Sequence, residues 1–377
     1  MTVDDHTPCA GSCCRAGFTL TEAAVLVAGL ALGAALLAPT LGSMRTESRL
    51  AGSRDNLRQL GEAHAAYSEA NSGFIAGFDW EGRPATGGFG GESGPEYDIG
   101  CGVFREPQDN LEAGQNQLGA LLRNATGRCG HVDPDRKIVP NLGWVPHRRF
   151  GHIPLLDWLG ASPTNPIVVS PLDTHQLDFQ KYTRAEFYPD LPGGDPDLTF
   201  GSFSDDVFVR LWPYASSYQT TTYAFSSGRP TSSGFLAIEP TENATQHRVL
   251  DANGYRPQLR QSVRFPANKA LLFEEFDYSQ GLGSQGLYYA DPLASVNILA
   301  FDGSARRIAT VDANPGWDPA NFRDMDATPE LRYRSIDTRF FPDDSDRPDP
   351  YPGYYKWTRG GLEGIDFGAG EINTSEW

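Results

Sequence analysis

The chain contains 377 residues and has a formal net charge of -17 at pH 7, with 41 glycines and 28 prolines. This length is sufficient for one large domain or two smaller ones, and the acidic balance argues against nucleic-acid binding, which needs basic patches. The many glycines and prolines favour turns and short strands over a helical bundle.

The first predicted element is an uncharged, mostly apolar segment from Ala23 to Met44. At about 1.5 Å per residue a helix of this length covers roughly 33 Å, enough to cross the hydrocarbon core of a bilayer. Glu22 directly precedes it, and a carboxylate in hydrocarbon is costly unless it is paired. Glu22 is therefore a candidate functional residue. The structural alternative is an acid placed near a helix N-terminus because the macrodipole favours it there.

The helical pattern continues through residues 45–73 as an amphipathic extension. Apolar or aromatic side chains, with one histidine, recur at helical spacing and form one stripe: Leu50, Leu57, Leu60, His64 and Tyr67. Gly73 is the predicted stop signal. We interpret His64 as a packed core histidine rather than a ligand, and the stripe as the face that packs on a globular head.

The string Gly17-Phe18-Thr19-Leu20-Thr21-Glu22 at the head of an apolar helix resembles the class III signal of type IV pilins and type II secretion pseudopilins. The resemblance implies that residues 1–17 are a leader peptide, which a prepilin peptidase removes by cutting between Gly17 and Phe18. It further implies that Phe18 becomes N-methylated and that residues 18–44 remain as a transmembrane helix.

The same resemblance gives Glu22 and Pro39 roles. The Glu22 carboxylate of one subunit is expected to meet the new Phe18 amine of its neighbour during filament assembly, although pairing within one helix stays open. Pro39 is expected to loosen or kink the helix, since it lacks an amide donor. Membrane lipid, the peptidase and other pilin or pseudopilin subunits are the expected partners.

A narrower resemblance is to planctomycete-type prepilin-like proteins. Six segments are similar to that group: Asn56–Gly61, Ser170–Asp173, Ser216–Gly228, Asn268–Glu275, Val296–Ile308 and Arg359–Thr374. The chain departs from the group at two positions. Ser170 replaces a cysteine, and Pro292 replaces the histidine of the group's hallmark His-x9-Asp-Gly, so any role of those residues is absent.

Within the last but one of these segments we predict a β-hairpin. Apolar residues occupy both faces of Ile298–Phe301, which indicates a strand buried on both sides. Asp302 and Gly303 are predicted to form a two-residue turn, after which Ala305–Thr310 returns as the second strand.

The sequence leaves two interpretations for each of two further sites. Residues 80–165 match no segment of the group and are predicted to be an insertion that contains Cys101 and Cys129, either as a disulfide or as two unpaired thiols. Four aspartates, Asp343, Asp344, Asp346 and Asp349, cluster in an oxygen-rich loop. They are either weak calcium ligands or a solvated loop, and no other cofactor is expected.

The sequence contains no hydrolase elbow, zincin motif, P-loop or dinucleotide fingerprint, so we expect no enzymatic activity. The expected fold is α+β and pilin-like: a long N-terminal helix packs on an antiparallel sheet within an extracytoplasmic head, residues 74–377, with large loop insertions. The expected function is that of a minor pilin or pseudopilin, single-pass in the inner membrane with the head in the periplasm or exterior. Two alternatives are a tethered module that binds carbohydrate or a surface protein without forming a filament, and a tethered hydrolase.

Overall fold

The computed structural model describes the main chain of residues 19–78, 96–98, 103–105, 117, 121, 148–160, 162, 164–181, 214–228, 237–240, 247–251, 254–280, 287–317, 327–328, 330–331 and 350–371. The chain divides into two compact units, Met1–Ser48 and Arg49–Trp377. Every strand that the structure describes lies in the larger unit.

Helix α1, Leu20–Ala70, is the longest element of the described chain, with 51 residues. It ends three residues before the predicted stop, and the next residues complete a C-terminal cap. Gly73 donates its amide N–H to the carbonyl of Ser68 at 2.7 Å, and Ser72 and Gly73 both take positive φ angles. In the described part of the chain, no helix offers an apolar stretch long enough to span a membrane.

The predicted apolar stripe of α1 lies in the larger unit and is buried. All five of its side chains are at most 6% exposed, and Leu57 is fully buried. The backbone of α1 approaches the sheet closely at Gly61, where an added Cβ would lie 3.0 Å from Cδ1 of Leu299. A glycine at this position lets the helix pack directly on the sheet.

The central sheet has four antiparallel strands in the order β10-β9-β6-β3. The described residues also form three two-stranded antiparallel sheets, in which β1 pairs with β2, β4 with β5 and β7 with β8. The strands are β1 Glu96–Asp98, β2 Val103–Arg105, β3 Tyr218–Thr220, β4 Ile238–Pro240, β5 His247–Val249, β6 Ala270–Glu274, β7 Phe276–Asp277, β8 Leu287–Tyr288, β9 Ser295–Ala300 and β10 Ala305–Ala309.

In the described ranges, the helical elements other than α1 are short. Helix α2 is Thr174–Lys181. Single 3₁₀ turns include Arg148–Phe150, Ile153–Leu155, Pro166–Val168, Thr222–Ala224, Arg260–Ser262, Pro266–Asn268, Thr310–Asp312, Tyr354–Lys356 and Gly361–Glu363. The mixture of a long helix, short helical turns and an antiparallel sheet confirms the predicted α+β class.

Strand β9 is buried on both faces, as its sequence predicts. Val296, Asn297, Ile298 and Leu299 are all inaccessible to solvent. Because α1 packs on β9 through Gly61, at least one of these faces is covered by the helix. The strand is therefore a central element of the core and not an edge.

The hairpin between β9 and β10 differs from the prediction in the length of its loop. The turn lies at Asp302 and Gly303 as expected, but the loop has three residues, because Ala300 pairs with Ser304 through a bond from its amide N–H to the Ser304 carbonyl at 2.9 Å. Gly303 donates to the Ala300 carbonyl at 3.0 Å and has a φ of +87°. The loop therefore ends in a left-handed glycine, as is common in three-residue hairpin loops.

We predict a pH dependence of stability that comes from His64. The pKa of this buried ring is lowered to about 3, first by desolvation and second by the charge of Arg260. A depressed pKa contributes stability above the unfolded value of 6.5, and that contribution is lost as pH falls. Between pH 7 and pH 5 the loss is about 2 kcal/mol.

Urea unfolding of the wild type and of His64→Leu at both pH values measures this term. Neither ring nitrogen of His64 has a hydrogen-bond partner in the described structure, so leucine leaves no donor unpaired. The variant should keep its stability at pH 7 and lose about 2 kcal/mol less than the wild type at pH 5. Equal losses in the two proteins would contradict the assignment.

Candidate functional site

The carboxylate of Glu22 forms a capping box at the start of α1. Its Oε2 accepts hydrogen bonds from the amide N–H of Thr19 at 2.9 Å and from the Thr19 hydroxyl at 2.8 Å. The amide N–H of Glu22 lies 3.3 Å from Oγ1 of Thr19. Thr19 is thus the N-cap and Glu22 the N3 residue, so that each satisfies polar groups that the first helical turn would leave unpaired.

The sequence patterns considered above did not single out Thr19 as a capping residue, although the sequence contains the signal for it. A threonine followed three residues later by glutamate, just before an apolar segment, is the usual pattern of a capping box. In the described residues no bond is found to Oε1 of Glu22, and the residue is exposed. The arrangement therefore holds one carboxylate oxygen of an exposed side chain.

The other predicted site residues divide into those that the structure describes and those outside the described part. Pro39 lies within α1, but its side chain is not described. Pro292 occupies an exposed turn that Asp291 and Ala294 close with a backbone hydrogen bond of 2.9 Å. The residues outside the described part are Gly17, Phe18, Cys101, Cys129, Asp343, Asp344, Asp346 and Asp349.

A second carboxylate, that of Glu274, lies buried at the end of strand β6. Its Oε1 accepts hydrogen bonds from the hydroxyls of Ser53 at 2.6 Å and Ser170 at 2.9 Å, and its Oε2 accepts from the amide N–H of Asn297 at 2.9 Å. The residue is 1% exposed, and burial raises the pKa of this carboxyl despite these donors. Ser170 thus has a hydrogen-bonding role within the core.

The next residue in the chain, Glu275, forms a buried ion pair with Arg149. Burial acts to lower the pKa of Arg149, but the charge of Glu275, with smaller effects of Tyr278 and Asp173, raises it above its ordinary value. Asp173 itself accepts a bond from the Ser217 hydroxyl at 2.7 Å and caps α2 through the amide N–H of Gln176 at 3.0 Å.

Glu274, Glu275, Arg149 and Asp173 form a buried polar cluster that is closed to solvent. Both glutamates are 1% exposed, Arg149 is 2% exposed and Asp173 is 6% exposed. A substrate could not contact these carboxylates in the conformation described, so the cluster joins elements of the fold rather than forming a reaction centre. The described residues also contain no group of three or more histidine, cysteine or acidic side chains placed to hold a metal ion.

An open groove of about 340 Å³ lies at the surface of the larger unit, between α1 and the segment after Ile153–Leu155. Its wall includes the indole of Trp158, which is 37% exposed and packs edge-on against Tyr67 at 5.3 Å between ring centroids. The polar side chains of Gln59 and Glu62 belong to the same groove. An aromatic face beside polar groups is a common arrangement for binding small polar ligands.

Comparison with protein-family models, with curated proteins and with solved structures finds no match to this chain. A functional assignment therefore depends on the residues of the chain itself. The features that bear on it are Gly17–Glu22, the helix that begins at Leu20 and the head that packs on the second half of that helix.

We predict a large loss of stability when Arg149 is replaced alone. Arg149→Met leaves Glu275 buried without its partner, which should lower the free energy of unfolding by about 3–5 kcal/mol. The double variant Arg149→Met/Glu275→Leu removes both charges and should recover most of that loss, since apolar side chains replace a buried ion pair at little cost. Urea unfolding of both variants gives the comparison. A double variant as unstable as the single one would contradict this account.

Proposed function

We propose that the chain is a prepilin-processed, membrane-anchored, pilin-like subunit, either a minor pilin or a pseudopilin, of a secretion or pilus-like filament. In this proposal residues 18–44 anchor it as a single pass in the inner membrane, and the head faces the periplasm or exterior. The partners are the prepilin peptidase, membrane lipid and other pilin or pseudopilin subunits. No enzymatic activity and no nucleic acid form part of the proposal.

The observation that carries this proposal is the position of Glu22. The carboxylate lies in the first turn of a 51-residue helix, immediately before the uncharged segment from Ala23 to Met44. An acid at the edge of such a segment requires a polar partner when the segment enters hydrocarbon. Cleavage after Gly17 would create that partner, a positively charged amine on Phe18, four residues from Glu22.

The architecture of the larger unit supports the same proposal. The second half of α1 buries its stripe, from Leu50 to Tyr67, on a four-stranded antiparallel sheet. A continuous helix whose first half is apolar and whose second half belongs to the core of a head is the organisation expected for a pilin-like subunit. The head, residues 74–377, is large for a repeating shaft subunit, which favours a minor or tip position.

The groove beside Trp158 favours a second candidate, a membrane-tethered binding module that forms no filament. An exposed indole with Gln59 and Glu62 nearby could stack on a sugar ring and hydrogen-bond its hydroxyl groups. This candidate shares the anchor with the first but gives the Glu22 charge no role beyond capping the helix. Variants of Glu22 therefore distinguish the two.

Processing is tested by the mass of the mature N-terminus. Protein isolated from the membrane fraction of a host with a prepilin peptidase should begin at a methylated Phe18, because the enzyme cuts after Gly17. The matched control is the same host without the peptidase, in which residues 1–17 should remain. A mature chain that begins at any other residue would contradict the proposed cleavage between Gly17 and Phe18.

Assembly is tested by two substitutions of Glu22 that act differently on the cap. Glutamine serves at N3 of a capping box, so Glu22→Gln keeps the cap and removes the charge, whereas Glu22→Ala removes both. Incorporation into the filament or its complex should fall at least about tenfold in both variants, a difference of about 1.4 kcal/mol. The readout is the fraction of the protein that co-purifies with partner subunits.

Glu47→Gln is the matched control, because Glu47 is an exposed acid of the same helix and should be neutral to assembly. If Glu22→Gln assembles as well as this control while Glu22→Ala does not, the carboxylate acts only as a cap. If all three variants assemble normally, the tethered binding module is the better account.

A further inference from the structure

The C-terminal segment, residues 350–371, is joined to the central sheet by a fully buried pair of ionisable side chains. Lys269 directly precedes β6, and Asp366 lies in the C-terminal segment; their side chains are 0% and 1% exposed. The amine Nζ of Lys269 lies 3.1 Å from Oδ2 and 3.3 Å from Oδ1 of the carboxyl group. Neither group plays a part in the function proposed above.

The backbone fixes the relative position of the two side chains. Asp366 donates its amide N–H to the carbonyl of Asn268 at 2.8 Å, and its Oδ2 accepts from the amide N–H of Ala270 at 2.8 Å. Asp366 is therefore bonded to the residues on both sides of Lys269. These bonds fix the Asp366 carboxyl group beside the backbone of Lys269, and burial of both side chains keeps the amine close to it.

A hydroxyl group bridges the pair. Thr358 accepts a hydrogen bond from Nζ of Lys269, and its Oγ1 lies 2.5 Å from Oδ1 of Asp366, to which it donates. The aromatic ring of Tyr223 lies over the amine, with 5.4 Å between Nζ and the ring centroid. The pair is therefore shielded from bulk solvent, and one hydroxyl contacts both reactive groups.

Burial shifts both groups toward their neutral forms. Desolvation lowers the pKa of Lys269, although Asp366 acts against this, and desolvation raises the pKa of Asp366 against the effect of the lysine and its hydrogen bonds. A neutral amine is a nucleophile and a neutral carboxylic acid can be attacked at its carbon, whereas an ammonium and a carboxylate cannot react.

We propose that Lys269 and Asp366 condense to form an intramolecular isopeptide bond. A bond forms between Nζ of Lys269 and Cγ of Asp366, the bond from Cγ to one carboxyl oxygen breaks, and that oxygen leaves as water. Thr358 relays a proton from the attacking amine to the leaving hydroxyl, so the reaction needs no oxidant, reductant or activating group. Its product fastens the C-terminal segment covalently to the sheet.

The structure contains its own control for this chemistry. Arg149 and Glu275 form an equally buried ion pair, but a guanidinium remains protonated in proteins and is not a nucleophile. The proposal is independent of the pilin-like function, because it concerns the larger unit alone. A chain that is processed differently, or not at all, would carry the same bond.

Peptide mapping of the full-length protein tests the proposal directly. After complete denaturation and digestion with trypsin, an acylated Lys269 is no longer a cleavage site. The expected product is a branched peptide in which residues 265–306 are joined to the peptide that begins at Gly360, lighter than their sum by one water. Recovery of free peptides 265–269 and 270–306 in full yield would overturn the proposal.

Two variants sharpen the test. Lys269→Arg keeps a positive charge beside Asp366 but cannot form the amide, so its tryptic peptides should all be unbranched. Thr358→Val removes the bridging hydroxyl at nearly constant volume and should slow formation of the branched peptide about 100-fold, the typical contribution of positioned proton transfer. An equal rate in Thr358→Val would overturn the relay, and a branched peptide in Lys269→Arg would overturn the assignment to Lys269.

Discussion

The carboxylate of Glu274 is the group on which the assembly of the head depends most directly. A buried carboxylate is costly unless several donors replace the water that it loses. Here the donors come from separate parts of the chain: Ser53 in α1, Ser170 before α2 and the backbone of Asn297 in β9. The buried carboxyl group of Glu274 loses a hydrogen-bond donor whenever one of these elements is out of place. Its burial therefore couples the packing of the helix to the order of the strands.

The C-terminal segment depends on a different constraint, the close approach of backbones. An added Cβ at Gly364 would lie 1.9 Å from the carbonyl oxygen of Arg359, and one at Gly316 would lie 2.2 Å from that of Trp357. Only glycine leaves room for these contacts. One of these close approaches lies within the C-terminal segment and the other joins that segment to Gly316, so the backbone there packs too tightly for any side chain.

The start of α1 shows how one side chain serves two levels of structure. Within the chain, Glu22 and Thr19 satisfy each other's polar groups and define where the helix begins. Between chains, the proposed pairing would use the charge of the same carboxylate. The capping role follows from hydrogen bonding alone, whereas pairing in a medium of low dielectric requires an ionised acid and a nearby amine.

Elements whose signals are local could be predicted from the amino-acid sequence alone. Helical spacing located the buried face of α1, and apolar residues on both faces of Ile298–Phe301 identified the central strand. The turn at Asp302 and Gly303 was located correctly. Its loop is longer than predicted because Phe301 and Asp302 donate to carbonyls of the chain around Lys269, and these contacts hold the loop open.

Which polar groups meet became visible only in the folded chain. Ser53 and Glu274 are 221 residues apart in the chain, Arg149 and Glu275 are 126 apart, and Lys269 and Asp366 are 97 apart. Charges and hydroxyl groups at such separations carry no periodicity, because each is an ordinary polar residue until the fold removes it from water. Local spacing therefore defined the helix and strands, and burial defined the partners.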